Sequence, residues 1–213
     1  MSATTITTTF NDQGTSAPGV SSADTAARAE LLQKMEGSLE LLSGERVQVR
    51  PIRPGDAARL QTFHSQLSAD SVVFRFFRYL PLLPDADAAR FTHVDYVDRM
   101  ALVATDGQGE EERERLLAVV RYDRLSADTA EVAFVVADHW QGHGIATALL
   151  HRLAAYARLQ GITHLLAVTL ATNAKMLEVL RHAGYPLSAR YVSGEVEMTL
   201  DISAPGPGEL ALG

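Results

Sequence analysis

Six residues, Gln141-Gly142-His143-Gly144-Ile145-Ala146, stand between an apolar run, Val132 to Ala137, and a helix-like run, Thr147 to Leu159. A strand that feeds a glycine loop at the mouth of a helix is suited to anions. The glycines let the backbone approach a ligand. The unpaired amides of the first helical turn face it with the positive end of the helix dipole. The chemistry this stretch offers is therefore recognition of a phosphorylated ligand.

Three ligand classes use such a loop, and the neighbouring residues separate them. A nucleotide P-loop needs a Lys followed by Ser or Thr after its last Gly, and here Ile145-Ala146-Thr147 follows Gly144. A dinucleotide fingerprint needs Gly or Ala where Thr147 stands, and an acid closing the next strand roughly 20 residues on. The next strand-like run, Leu165 to Leu170, ends in Ala171-Thr172-Asn173 without one. The third class is coenzyme A.

The order Gln-x-x-Gly-x-Ala after an apolar strand, carried by Gln141, Gly144 and Ala146, resembles the signature of the GNAT superfamily of N-acetyltransferases. The likeness continues through the strand-like Leu165 to Leu170, the helix opened by Asn173, and Ala183-Gly184-Tyr185 behind it. Upstream, Val49 to Asp56 (VRPIRPGD) resembles the first strand and helix of that superfamily. Leu67 to Phe77 (LSADSVVFRFF) and Asp95 to Ala104 (DYVDRMALVA) are similar to the bacterial protein lysine acetyltransferases, which modify acyl-CoA synthetases.

The resemblance implies acetyl-CoA as co-substrate, no metal, and a set of roles. Backbone amides of Gln141, Gly142, His143, Gly144, Ile145 and Ala146 would hold the pyrophosphate, with His143 and Lys175 as further contacts. Phe134, Val135 and Val136 would pair with the pantetheine arm and supply an amide for the oxyanion. Asn173 would touch pantetheine, a role compatible with capping its helix. A lysine of pKa about 10.4 costs about 4.6 kcal/mol to deprotonate at pH 7, so a general base is expected. In Ala130-Glu131-Val132-Ala133-Phe134 the resemblance gives that role to Glu131. Asp95 and Asp98 would attract the incoming lysine, and Arg75, Phe76 and Phe77 would shape its wall. Many superfamily members carry a Tyr seven residues after the Asn as acid for the leaving thiolate. Here that position is Leu180, with Tyr185, Tyr191 and Tyr96 as conceivable substitutes.

The elements that must position these residues are legible as a pattern. Residues 1–22 are rich in Thr, Ser, Ala and Gly and read as a disordered tail. Residues 23–44 carry Leu31, Leu32, Met35, Leu39 and Leu42 near helical spacing and read as an N-terminal helix. Residues 45–203 read as the acetyltransferase domain that the resemblance implies. It opens with a strand, Arg46 to Ile52, and Asp56 is placed to cap the following helix. Short helices over 71–79 and 86–93 come next, then strands over 100–105 and 116–122 joined by a Gly- and Glu-rich loop. A hairpin turning at Ser193-Gly194 closes the domain. Residues 204–213 read as a flexible tail. The order implies an α/β fold: a single domain with a mixed, mostly antiparallel sheet flanked by helices, the Glu131 and Leu165 strands at its centre.

Composition bounds the rest. The 213 residues suffice for one domain with a sizeable core. Without Cys there is no disulfide, thiolate metal site or thiol nucleophile. The net charge of −7 opposes a general nucleic-acid binder and suits a cationic acceptor. No apolar run reaches membrane-spanning length and no secretory signal is visible, so a cytoplasmic enzyme is expected. The leading reading is an acetyltransferase acting on a protein lysine, such as that of an acyl-CoA synthetase. A small-molecule amine as acceptor, and a non-catalytic acyl-CoA-binding module, are the alternatives.

Overall fold

The computed structural model describes residues 22–41, 43–107, 114–207 and 209. Its elements are α1 (Ser22–Lys34), β1 (Gly37–Glu40), β2 (Arg46–Pro51), α2 (Ala57–Ser65), α3 (Ala69–Phe76), α4 (Asp85–Thr92), β3 (Arg99–Thr105), β4 (Leu116–Arg124), β5 (Thr129–Val136), α5 (Ile145–Leu159), β6 (His164–Leu170), α6 (Ala174–His182), β7 (Leu187–Val192) and β8 (Glu195–Asp201). The strands form one eight-stranded sheet in the order β1-β2-β3-β4-β5-β6-β8-β7. Every neighbouring pair is antiparallel except β5 and β6.

Strand alternation splits the interior into two layers. Ala130, Val132 and Phe134 of β5 face the side covered by α5, where Leu149, Leu150, Leu153 and Tyr156 are buried. A fully buried Leu of this kind contributes roughly 1.5–3 kcal/mol. On the opposite face α2 and α4 pack Leu60, Phe63 and Ala88 against Ala101, Val103 and Val119. Glu131, Ala133 and Val135 point to this second face, so the β5 carboxylate lies on the side of α2, α3 and α4.

Three expectations need correction. Residues 23–44 are not one helix: α1 stops at Lys34, and Gly37–Glu40 pairs with Val49 to Arg46 as an edge strand. Gly37, at φ +151, cannot continue a helix, and Met35 beside it is fully buried. Asp56 stands at the N-cap of α2, yet its carboxylate makes no cap bond. It instead accepts from both terminal nitrogens of buried Arg50, at 2.7 and 2.8 Å, and from the Arg53 amide at 2.8 Å. Burial pushes this carboxyl up, but the Arg50 bonds outweigh it and hold it below the usual range. The tail expected from 204 is held at least at Glu209, whose carboxylate pairs with Arg158, accepts from the Tyr185 hydroxyl, and takes the Gly206 amide at 2.8 Å. Residues 1–21 of the segment expected to be disordered over 1–22, and most of the loop over 106–113, lie outside the described residues, while Ser22 opens α1.

Candidate active site

β5 pairs with β4 over seven positions but with β6 over only three, Thr129, Ala130 and Glu131. Beyond Glu131 the two central strands part. Among the described residues, the β6-facing backbone edge of Val132 to Val136 has no strand partner, and buried backbone groups of this kind require a hydrogen-bonding partner. A cleft opens there, lined by Glu131, Val132, Ala133 and Phe134 on one side and Ala167, Val168 and Thr169 on the other. Phe74, Arg75 and Phe77 of the α3 segment and Met176 of α6 complete the wall.

Glu131 stands at the point where the strands diverge, opposite Asp123 on β4 and Leu166 on β6. Burial raises its carboxyl; Arg75 opposes the rise, Asp123 adds to it, and Arg121 opposes it, with a net shift upward. Arg121 is already committed, donating to both Asp123 oxygens at 2.9 and 3.1 Å and lying 4.8 Å from the centre of the Phe91 ring. Arg75 is half-buried. Burial and then Arg121 pull its guanidinium down to about 10, against the attraction of Glu131 and Asp123.

At the other end of β5, the loop takes the shape its glycines permit. Gly142 and Gly144 have φ +81 and +86, and Gly144 is the residue before the first turn of α5. The side chain of Gln141 donates to the Val136 carbonyl at 3.1 Å and to Ser71 Oγ at 3.2 Å. It accepts from Lys175 Nζ at 2.7 Å. The His143 ring lies 3.0 Å from the Gln141 carbonyl and beside Trp140. Asn173 caps α6, accepting from the Met176 amide at 3.2 Å and donating to Thr169 Oγ1 at 3.1 Å. Of the residues named from the sequence, Phe134 lines the cleft, Asn173 bonds to Thr169 on its wall, and Gln141 joins Val136 to Lys175.

Comparison with known proteins fixes the family. Residues 46–186 match the acetyltransferase (GNAT) domain. The chain belongs to the GNAT acetyltransferase family. A Pseudomonas aeruginosa acetyltransferase is 30% identical over 173 residues, 78% of this chain and 90% of that protein. The acetyltransferase Pat of Mycolicibacterium smegmatis is 29% identical over 68% of this chain, which spans only 43% of Pat. The GNAT domain of S. lividans PAT superposes with a TM-score of 0.72 at 41% identity, covering 78% of this chain and 97% of that one. This GNAT chain is therefore an acyltransferase built on the mixed sheet expected from its sequence. Family members use acetyl-CoA. The parted β5 edge and the free α5 amides suit an extended, phosphate-bearing co-substrate.

Several suggested residues are placed elsewhere. Asp95 accepts the backbone amides of Val97, Asp98 and Arg99 at 2.8 to 2.9 Å and so shapes its own turn. Asp98 pairs with Arg124 at 2.8 Å. Phe76 turns away from the cleft into the α2–α4 layer. Leu180 is fully buried in the core, and none of the conceivable substitute tyrosines lines the cleft. Tyr191 is 67% exposed on the hairpin, and Tyr96 donates to the Ile52 carbonyl at 2.7 Å. Tyr185 is buried behind α5; burial and then Glu209 hold its hydroxyl far above the ordinary range. Tyr185→Phe should lower stability by about 1–2 kcal/mol, read from thermal melts, and leave the transfer rate within about two-fold. A large rate loss would make Tyr185 part of the chemistry after all. Asp138, Ser68 and Ser71 meet across 67 to 70 residues and are not among the residues named from the sequence; a serine at the N-cap of α3 is the one local signal that points to them.

Proposed function

We propose that this acetyltransferase transfers acetyl from acetyl-CoA to the ε-amine of a lysine on a protein, such as an acyl-CoA synthetase, by direct attack with Glu131 as general base. The supporting observation is the placement of Glu131: one half-buried carboxylate at the apex of the parted strands, five residues or about 17 Å from the end of β5 that leads to the glycine loop. Likeness to Pat and to the S. lividans PAT domain supports a protein acceptor.

Gln141 to Ala146 would hold the pyrophosphate by their amides, with Lys175 adding charge beside Gln141. Phe134 to Val136 would pair with the pantetheine arm through the backbone edge that β6 leaves open, with an amide there facing the oxyanion. His143 would border the phosphates, and Asn173, while capping α6, would border the arm. The lysine nitrogen attacks the thioester carbon and its proton passes to Glu131. The tetrahedral oxyanion then collapses, the C–S bond breaks, and coenzyme A leaves as a thiolate. A thiol of pKa about 8.5 is a tolerable leaving group without a protein acid, consistent with Leu180 in place of a Tyr. Burial raises Glu131 towards neutral pH, which improves its match to base catalysis.

The test is thiol release from acetyl-CoA with an acyl-CoA synthetase as acceptor, run beside an acceptor lacking its active-site lysine. Release that depends on this lysine is expected. Turnover of polyamines or amino acids with no turnover of any protein would overturn the acceptor assignment in favour of a small amine.

A further inference from the structure

The glycine loop and the acceptor wall are joined by a latch. Asp138, on the turn between β5 and the loop, accepts from the Ser68 amide at 2.9 Å, from Ser68 Oγ at 2.7 Å and from Ser71 Oγ at 2.9 Å. Ser68 is the N-cap of α3 and itself accepts from the Ser71 amide at 3.2 Å. Gln141 donates to the same Ser71 hydroxyl. Burial pushes the Asp138 carboxyl up, but the bonds from Ser68 and Ser71 outweigh it and keep it below the ordinary range, so it is a charged acceptor at neutral pH.

α3 is only eight residues long. A helix so short has little stability of its own and takes its position from its anchors. Its N-terminus is held by Asp138. Its other end is closed by Phe77, a bulky residue at φ 56 that costs free energy to hold there. Between them Phe74 and Arg75 reach the cleft that contains Glu131, and Phe77 joins them. The charged groups around Arg75 are Glu131 on β5, Asp123 and Arg121 on β4, and Arg90 on α4. Arg121 is bound to Asp123, and Arg75 makes no ion pair within 4.0 Å among the described residues.

We infer that Asp138 is a positioning residue for the acceptor side: it holds α3, and through α3 sets Arg75 against Glu131, so that the loop at one end of β5 and the carboxylate at the other act as one unit. This rests on the reading of Glu131 as base and of the loop as coenzyme site. Within the loop, backbone bonds such as Ala137 N to Leu117 O at 2.8 Å and Trp140 N to Ala137 O at 2.8 Å do not involve the Asp138 side chain. Its loss therefore frees α3 more than it deforms the loop.

The experiment takes Asp138→Ala, with Asp138→Asn and Ser71→Ala as milder versions should alanine fail to fold, through two measurements. The first is hydrogen exchange of the amides over 72–77, which needs no activity. Exchange about 10-fold faster than wild type is expected, and unchanged protection would overturn the latch. The second is kinetic. The acceptor kcat/KM should fall about 10-fold while acetyl-CoA Kd stays within two-fold. In an Arg75→Gln background the same substitution should cost less than two-fold, because the two act through one element. Additive losses, or an acetyl-CoA Kd that weakens as much as kcat/KM falls, would overturn the assignment. Glu131→Gln is run alongside. Its retention of turnover would sink the base reading while the exchange data still decide the latch.

Discussion

Glu131→Gln is expected to lower turnover with a protein lysine by about 10²–10⁴-fold at pH 7, the usual contribution of a positioned general base, with acetyl-CoA affinity unchanged. Glutamine keeps the volume and the β5 strand, and Ala130 and Val132 on either side remain buried in the α5-facing core. The wild-type advantage should then shrink with rising pH. A lysine of pKa about 10.4 is ionised at pH 7, and solution deprotonation increasingly replaces the missing base as that pKa is approached. Thiol release across pH 7 to 10, with isothermal titration for acetyl-CoA, checks both statements. A variant with wild-type turnover would leave Glu131 as a solvated strand-end carboxylate. A deficit that stays constant up to pH 10 would show a role other than proton removal.

Gly144→Ala should weaken acetyl-CoA binding by about 5- to 30-fold. The basis is the φ of +86 at this residue, which a residue with a Cβ adopts only at about 1–2 kcal/mol. The chain has two ways to respond, and they are measurable apart. If Gly144 keeps its left-handed conformation, the strain appears as a lower melting temperature with binding little changed. If the residue relaxes, the first amides of α5 turn away from their common focus and affinity falls instead. The second response is expected, since Gly142 at φ +81 leaves the loop a neighbouring pivot. Titration with acetyl-CoA beside thermal melts separates them: intact binding in a destabilised variant would show that residue 144 holds its left-handed conformation at a cost in stability.

The parts of this fold that the sequence revealed are those written in local patterns. The unbroken apolar run from Val132 places β5, the glycine pair places the start of α5, and Ser193-Gly194, both at positive φ, places the β7–β8 turn. Most of the candidate site residues lie on those segments. What stayed hidden depends on partners distant in the chain. Asp56 has the chemistry of a helix cap, but Arg50, arriving from β2, binds its carboxylate instead. Leu39 fits a helical spacing as well as a strand, and only Val47 opposite it decides for the strand. Asp138 looks like any polar turn residue until α3 is folded beside it. Glu209 gives no local sign that Arg158, 51 residues earlier, will hold it.

The parting of β5 from β6 has a consequence for how this protein avoids its own kind. Unpaired strand edges are templates for aggregation, and proteins usually place them at the rim of a sheet and guard them with charge, proline or brevity. Here a vacant edge of five residues lies in the middle of the sheet, with α3 packed on one face and α5 on the other. Another chain cannot dock a strand there without prising the layers apart, whereas a slender, flexible molecule can slide in end-on. On the proposed function, the fold would keep one row of backbone groups open to a small guest and closed to neighbours, through the shape of the opening rather than through guarding side chains.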